Sequence, residues 1–276
     1  MNTNKKNNTI LFTIFGIVLV IVVGLLVFFA NRPKTTDNTA SSTSTSSSQK
    51  VDYPTNYKLH DAVKNSTTAL NDLTLPQLST TVAEDEAEVE IKTTVGNINI
   101  KLFPKLVPNA VQNFLVFAKN GYYKNNEFFR VIKDFMIQSG DPSTKGTGTA
   151  SIFDGKTFDT EISNQLYNIR GALALANTGQ ASSSSSQFFI VQNSQDMTNQ
   201  IQDKTKYPQK IIDAYKKGGY PSLDGSYTVF GQVISGMDVV DKIAKAEVTS
   251  SGSGEASSPV VPVKIKSVKI LKNWKF

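Results

Sequence analysis

Apolar residues are crowded at the start of the chain and become periodic only after its first third. Residues 10–30 read ILFTIFGIVLVIVVGLLVFFA, with no charge among them. As a helix this run is about 31 Å long at ~1.5 Å per residue, close to the hydrocarbon thickness of a bilayer. It is apolar on every side, unlike a surface helix, and longer than the core of a signal peptide. The expectation is a transmembrane helix over 10–30 that stays attached, preceded by a short tail over 1–9; cleavage as a signal is the competing reading. Lys5 and Lys6 before the span nearly balance Arg32 and Lys34 after it. The short tail favours an inside N-terminus, which puts the remainder on the extracellular side of the cell membrane as a single-pass protein.

Polar residues then dominate. Residues 38–49, NTASSTSTSSSQ, cannot bury enough apolar surface to offset ordering. A polar Ser/Thr-rich linker is expected over 31–84. The sparse Tyr53, Tyr57, Leu73, Leu75 and Leu78 within it either dock on the domain or form a short helix. The acidic run Glu84, Asp85, Glu86 reads as a solvated edge, and a domain is expected over 85–276.

Within that domain the pattern changes to period two. Val89 and Ile91 alternate with charges, residues 95–97 are a turn signal, and Ile98, Ile100 and Leu102 alternate again, as in a hairpin. Pro108 opens a helical pattern with Val111, Phe114, Leu115 and Ala118 on one face, ended by Gly121. Short strands are expected at 128–132, 135–139, 172–176, 187–191 and 228–233. A second helix follows at 238–244, and a last strand spans Val263 to Ile270. Short strands, glycine turns and two main helices predict a mainly β domain, a closed antiparallel barrel.

Composition narrows the chemistry. The net charge is +6, but the lysines are scattered and form no basic stripe, so no nucleic-acid partner is expected. There is no cysteine and a single histidine, His60. The lack of cysteine excludes disulfides, thiol nucleophiles and cysteine zinc sites, while the place of His60 in a polar segment ahead of the domain argues against Ser-His-Asp catalysis and two-His metal sites, so no metal or cofactor is expected.

Four blocks carry a resemblance: FFRVIKDFMIQSGD at 128–141, GALALAN at 171–177, SQFFI at 186–190 and LDGSYTVFGQV at 223–233. In this order they resemble the cyclophilin family of peptidyl-prolyl cis-trans isomerases, over about residues 88–272. The resemblance implies eight antiparallel strands in a closed barrel with a helix over each end. It implies that Arg130 is the catalytic arginine. It implies substrate contacts from Phe135, Met136, Gln138, Ala176, Asn177, Gln187, Phe189, Leu223 and Tyr227, with the backbone of Ala176 and Asn177 gripping the peptide beside the proline. Phe135 and Met136 are neighbours, and strand alternation sends neighbours to opposite faces. Both can reach one groove only if one of them sits at a bend.

The rim departs from the family. Ser222 stands where many members have tryptophan, and Tyr227 where many have histidine. Residues 195–221 are an insertion relative to short members. Within it Pro208, Ile211, Ile212 and Tyr215, closed by Gly218 and Gly219, read as a short helix. It either shapes substrate access or is a surface decoration. The implied partners are proline-containing polypeptides, exported ones given the N-terminal span, handled by a monomer held to the membrane. A proline-segment binding module or holdase with little turnover is the alternative.

Overall fold

The computed structural model describes residues 53–276. The helix expected over 10–30, the tail before it and the start of the linker lie outside the described residues. Among the described residues no helix is long and apolar enough to cross a membrane.

Alternation makes the sheet. β1 (Ala87–Thr93) buries Val89 and Ile91 completely and leaves Glu88, Glu90 and Lys92 half-exposed. It pairs antiparallel with β2 (Asn97–Leu102) across the expected turn. The other strands are β3 (Arg130–Ile132), β4 (Met136–Ser139), β5 (Ala172–Leu175), β6 (Phe188–Val191), β7 (Val229–Ser235) and β10 (Ile265–Lys272). A separate hairpin, β8 (Val248–Ser250) with β9 (Ala256–Pro259), packs against β3.

α1 (Pro108–Lys119) begins at the proline that opens its apolar pattern. Its free first-turn N–H groups are capped by the buried carboxylate of Glu161, at 3.1 Å to Asn109 and 2.8 Å to Ala110. Its Phe114 meets Tyr123, Phe188 and Phe230 with ring centroids 4.9, 5.6 and 5.3 Å apart, and this aromatic cluster is the centre of the core. α3 (Met237–Ala244) buries Val239, Val240 and Ile243. Between them, α2 (Gln209–Tyr215) is the helix expected within the insertion.

The closed barrel is replaced by a curled open sheet. Its strand order is β10-β1-β2-β7-β5-β6-β4-β3, so β10 and β3 are edges. The edges approach where the chain ahead of β3 meets the start of β10. There Phe128 N–H donates to Val263 O at 2.9 Å and Ile265 N–H to Asn126 O at 2.8 Å. β3 is only three residues long and Glu127–Lys264 is an isolated bridge, so no continuous ladder closes the ring.

The linker boundary expected at 84 also differs, because residues 53–84 lie on the domain as a strap. His60 N–H donates to Asn109 Oδ1 at 2.8 Å, and its Nε2 lies 3.1 Å from Gln112 Oε1, both on α1. Asn164 N–H donates to Asn65 Oδ1, and Gln209 N–H to Asn71 Oδ1. Gln77 is buried, and its amide bonds Tyr167 and Gln232. These contacts are polar and widely spaced, so they leave little mark on a hydrophobicity pattern. Glu86 likewise departs from the solvated edge. It is buried, as is its partner Lys101, whose ammonium also donates to Thr81 O at 3.1 Å. Burying both charges is tolerable only because they are paired and hydrogen-bonded.

Candidate active site

A row across four strands builds the site. Arg130 on β3 stands opposite Gln138 on β4, Gln138 opposite Phe189 on β6, and Phe189 opposite Ala174 on β5. Strand alternation puts the adjacent row of Val131, Ile137, Ile190 and Leu173 on the other face. Phe188, two residues from Ile190, meets Phe114 of α1 in the core. The Arg130 row is therefore on the sheet face turned away from α1.

The guanidinium is held from two sides. Arg130 Nη1 donates to Gln138 Oε1 at 3.3 Å and lies 3.7 Å from Met136 Sδ. On the other side Nε and Nη2 donate to the two carboxylate oxygens of Glu255, at 2.7 and 2.9 Å. The guanidinium carbon is 6.0 Å from the centre of the Phe135 ring. Burial pushes the Glu255 carboxyl up, but the bonds and charge of Arg130 outweigh it and hold the group below the usual glutamate range.

Gln138 is braced in turn. Its amide donates to Gln187 Oε1 at 3.0 Å, and Gln187 Nε2 donates to Gly146 O at 3.1 Å and Gly148 O at 2.7 Å. Asp141 ties the same loop through Ser143 and Gly148. Gln187, which the resemblance implies both bonds substrate and helps hold the arginine, has both amide hydrogens committed to this loop. Its place in the structure is behind Gln138.

Phe135 occupies a turn over 133–135, where Asp134 takes the left-handed region at φ +59°, whereas Met136 begins β4 and is buried. The bend that the adjacent pair required is there. On the same face Phe189 meets Tyr227 edge-on at 5.5 Å. Burial raises the Tyr227 hydroxyl pKa, and the charge of Arg130 opposes the shift. Leu223 is buried in the same apolar cluster. Ala176 N–H is taken by Gln187 O at 2.9 Å, so that donor is not free for a peptide. Ala176 O and Asn177 N–H make no hydrogen bond among the described residues, while the Asn177 side chain bonds Ser226 O at 2.8 Å.

Two residues at the site were not expected from sequence. Glu255 precedes β9, in a Ser/Gly stretch that gives no apolar period. Tyr220 packs its ring 4.5 Å from that of Phe135, at 50°. Ser222 is exposed on a 3-10 turn (Pro221–Leu223), so the aromatic wall missing at 222 is supplied two residues earlier.

The insertion fixes this wall. Ile211, Ile212 and Tyr215 of α2 pack with Tyr167, Ile169 and Ile201 in a small second core. Gly218 and Gly219, at φ +119° and +120°, then bring the chain back against Asn193 and Asn168. A Cβ at Gly218 would sit 2.0 Å from Asn193 O, and one at Gly219 2.7 Å from the Tyr215 ring. Asp224, just beyond Leu223, accepts from Tyr215 and Asn168, and burial raises its pKa to about 6. The insertion thereby seats Tyr220 against Phe135. No group of metal-ligating side chains occurs among the described residues.

A family model described as cyclophilin type peptidyl-prolyl cis-trans isomerase/CLD matches residues 88–270. A Staphylococcus aureus (strain USA300) protein named for peptidyl-prolyl cis-trans isomerase activity is 44% identical over 199 residues, covering 71% of this chain and 97% of that protein. A Staphylococcus epidermidis protein of the same name is 42% identical over the same length. The crystal structure of a Cryptosporidium parvum cyclophilin-type isomerase superposes with a TM-score of 0.55 at 31% identity, covering 68% of this chain and 99% of that one. A second crystal structure of that protein, in the presence of the dipeptide Ala-Pro, gives a TM-score of 0.54. With the matched region running from β1 to β10, the fold is cyclophilin-like, and the chain belongs to the cyclophilin family and is a peptidyl-prolyl cis-trans isomerase.

Proposed function

We propose that this isomerase acts on proline-containing stretches of exported proteins, from the outer side of a membrane in which residues 10–30 hold it, and that Arg130 is its catalytic residue. The observation that carries the site assignment is a guanidinium held by Gln138 beside Met136 and Phe135, in one row with Phe189.

The chemistry follows from the amide. Rotation about X-Pro loses resonance, a barrier of about 18–20 kcal/mol. In the twisted state the prolyl nitrogen turns pyramidal and regains a lone pair. An N–H of Arg130 donates to that lone pair and finds no such acceptor in the planar ground state, so the bond favours the transition state selectively. Arginine suits this because it stays charged and its planar fork can be locked. The apolar side chains hold the pyrrolidine ring. Removing the carbonyl from water helps further, since water favours the charge-separated planar amide. Ala176 O and Asn177 N–H bind the peptide backbone alongside.

Tyr220 belongs to the pocket wall in this scheme. Tyr220→Ala is expected to raise KM about 5- to 10-fold with kcat little changed, the size of one lost aromatic contact, and Tyr220→Trp to restore it. Steady-state kinetics on a proline peptide checks the split.

The absence of cysteine gives a direct test of location. Ser79 is exposed, and a Ser79→Cys chain would carry the sole thiol. In intact cells expressing the full chain, a membrane-impermeant maleimide is expected to label it, and the labelled protein to sediment with membranes. Labelling only after lysis would reject an outward-facing domain.

A further inference from the structure

The Glu255 carboxylate lies 125 residues along the chain from Arg130, in a hairpin that is not part of the main sheet. It nevertheless makes the two shortest bonds to the guanidinium. We propose that Glu255 is the positioning residue of the isomerase site: it fixes the plane and direction of the Arg130 fork so that one Nη edge faces the prolyl nitrogen. This rests on Arg130 being the catalytic residue.

The donor count supports an orienting role over a blocking one. A guanidinium has five N–H donors. Glu255 takes Nε–H and one hydrogen of Nη2, and Gln138 takes one of Nη1. Met136 Sδ, at 3.7 Å, is a weak acceptor for a fourth. One Nη2 hydrogen remains without a partner among the described residues, and the Nη1 hydrogen on sulfur is easily released. Glu255 thus occupies the side of the fork and leaves its end for substrate. The bidentate geometry also removes rotation about the last side-chain bonds, which Gln138 alone, through one 3.3 Å bond, does not.

The hairpin is built to place this carboxylate. Gly254 takes the left-handed region at φ +84°, Ser251 N–H closes the turn on Glu255 O at 2.7 Å, and Ala256 enters β9 directly afterwards. β9 packs on β3, the strand that carries Arg130. Both partners are partly screened from water, with side-chain exposures of 21% for Arg130 and 26% for Glu255. A carboxylate this close also lowers the net charge that the groove presents, so the site donates a directed hydrogen bond more than it attracts anions.

The test uses the full chain in detergent, with Arg130→Ala, Glu255→Ala, Glu255→Gln and Glu255→Asp, and peptide exchange measured by NMR to separate kcat from KM. Glu255→Ala is expected to lower kcat roughly tenfold or more, the effect of letting a catalytic group drift, with KM and the melting temperature nearly unchanged. Glu255→Gln, whose carbonyl can still accept one N–H, is expected to recover part of kcat. A pH profile adds a reading that a merely structural role does not move. Since Arg130 holds the carboxyl below its ordinary 4.5, wild-type kcat is expected to hold above that value and to fall only at lower pH. Glu255→Ala is expected to lack that fall. Unchanged kcat in Glu255→Ala, beside a dead Arg130→Ala, overturns this inference alone. Equal rates for wild type and Arg130→Ala overturn both it and the assignment of Arg130.

Discussion

Replacing Arg130 with alanine is expected to lower kcat/KM by roughly 10²- to 10³-fold, the usual loss when a fixed donor to a transition state is removed, while the melting temperature stays close to wild type. The two halves of this expectation come from different parts of the structure. The activity loss follows from differential stabilisation: the donor meets its acceptor only when the amide is twisted, so its removal lowers kcat more than it raises KM. The retained stability follows from exposure. The Arg130–Glu255 pair is a quarter open to solvent, where such pairs contribute about 0–1 kcal/mol. The freed Glu255 carboxylate can reach water and carries no large desolvation penalty. Arg130→Lys is expected to fail nearly as badly, because an ammonium cannot bond Glu255 and Gln138 in a fixed plane and still present a directed donor. Peptide exchange by NMR with a thermal melt of each variant decides the matter. Tight peptide binding with negligible wild-type turnover would favour a binding module instead.

The second large effect concerns the strap. Gln77→Ala in the full chain is expected to destabilise the domain by about 2–3 kcal/mol, since three hydrogen bonds are lost and buried groups on the other side stay unpaired. Gln77 accepts from Tyr167 N–H at 2.7 Å and donates to Tyr167 O and Gln232 Oε1, both at 2.9 Å. At about 2–4 °C per kcal/mol for a domain of this size, the melting temperature should fall by several degrees. A fragment starting at residue 85 should fall further. It also loses the buried Leu73 and the Thr81 carbonyl that accepts from the buried Lys101 ammonium. Because no strap residue bonds the Arg130 row, kcat per folded molecule should be preserved in Gln77→Ala. A melt of Gln77→Ala that overlays wild type would show that the strap adds nothing.

The strap also shows where sequence reasoning loses its grip. The Arg130–Gln138 pairing was legible only through the family resemblance carried by the block FFRVIKDFMIQSGD, which implies that Gln138 holds the arginine; its apolar pattern alone does not set the register across the turn. Because the same resemblance puts the neighbours Phe135 and Met136 in one groove, it also required a bend at one of them. The strap is different. The docking of Tyr53, Leu73 and Leu75 was one of the two readings their spacing left open, and it is found, but most of the attachment is made by side-chain polar groups, and such contacts have no period. Glu255 was invisible for a related reason. The residues around it, 250–254 and 256–258, are all serine, glycine or alanine, and its partner is remote in sequence. Tyr220 was hidden by register: matching blocks residue by residue points at Ser222, while the paired glycines at 218 and 219 deliver a ring from two positions earlier. The open sheet differs from the expected barrel because closure depends on the length of the last strand, and the turn at 133–135 leaves β3 only three residues.

The distribution of the strap's bonds has a mechanical consequence. Its attachments are strung along the chain in order, from His60 on α1 through Asn65 and Asn71 to Gln77, and only then does the chain enter β1. Tension applied ahead of Tyr53 therefore loads them in sequence. Each attachment can give way before force reaches the β1 ladder, and each can re-form when the load drops. The strap can extend and recover in this way while the row of Arg130, Gln138 and Phe189, on strands remote from the pulled end, keeps its geometry.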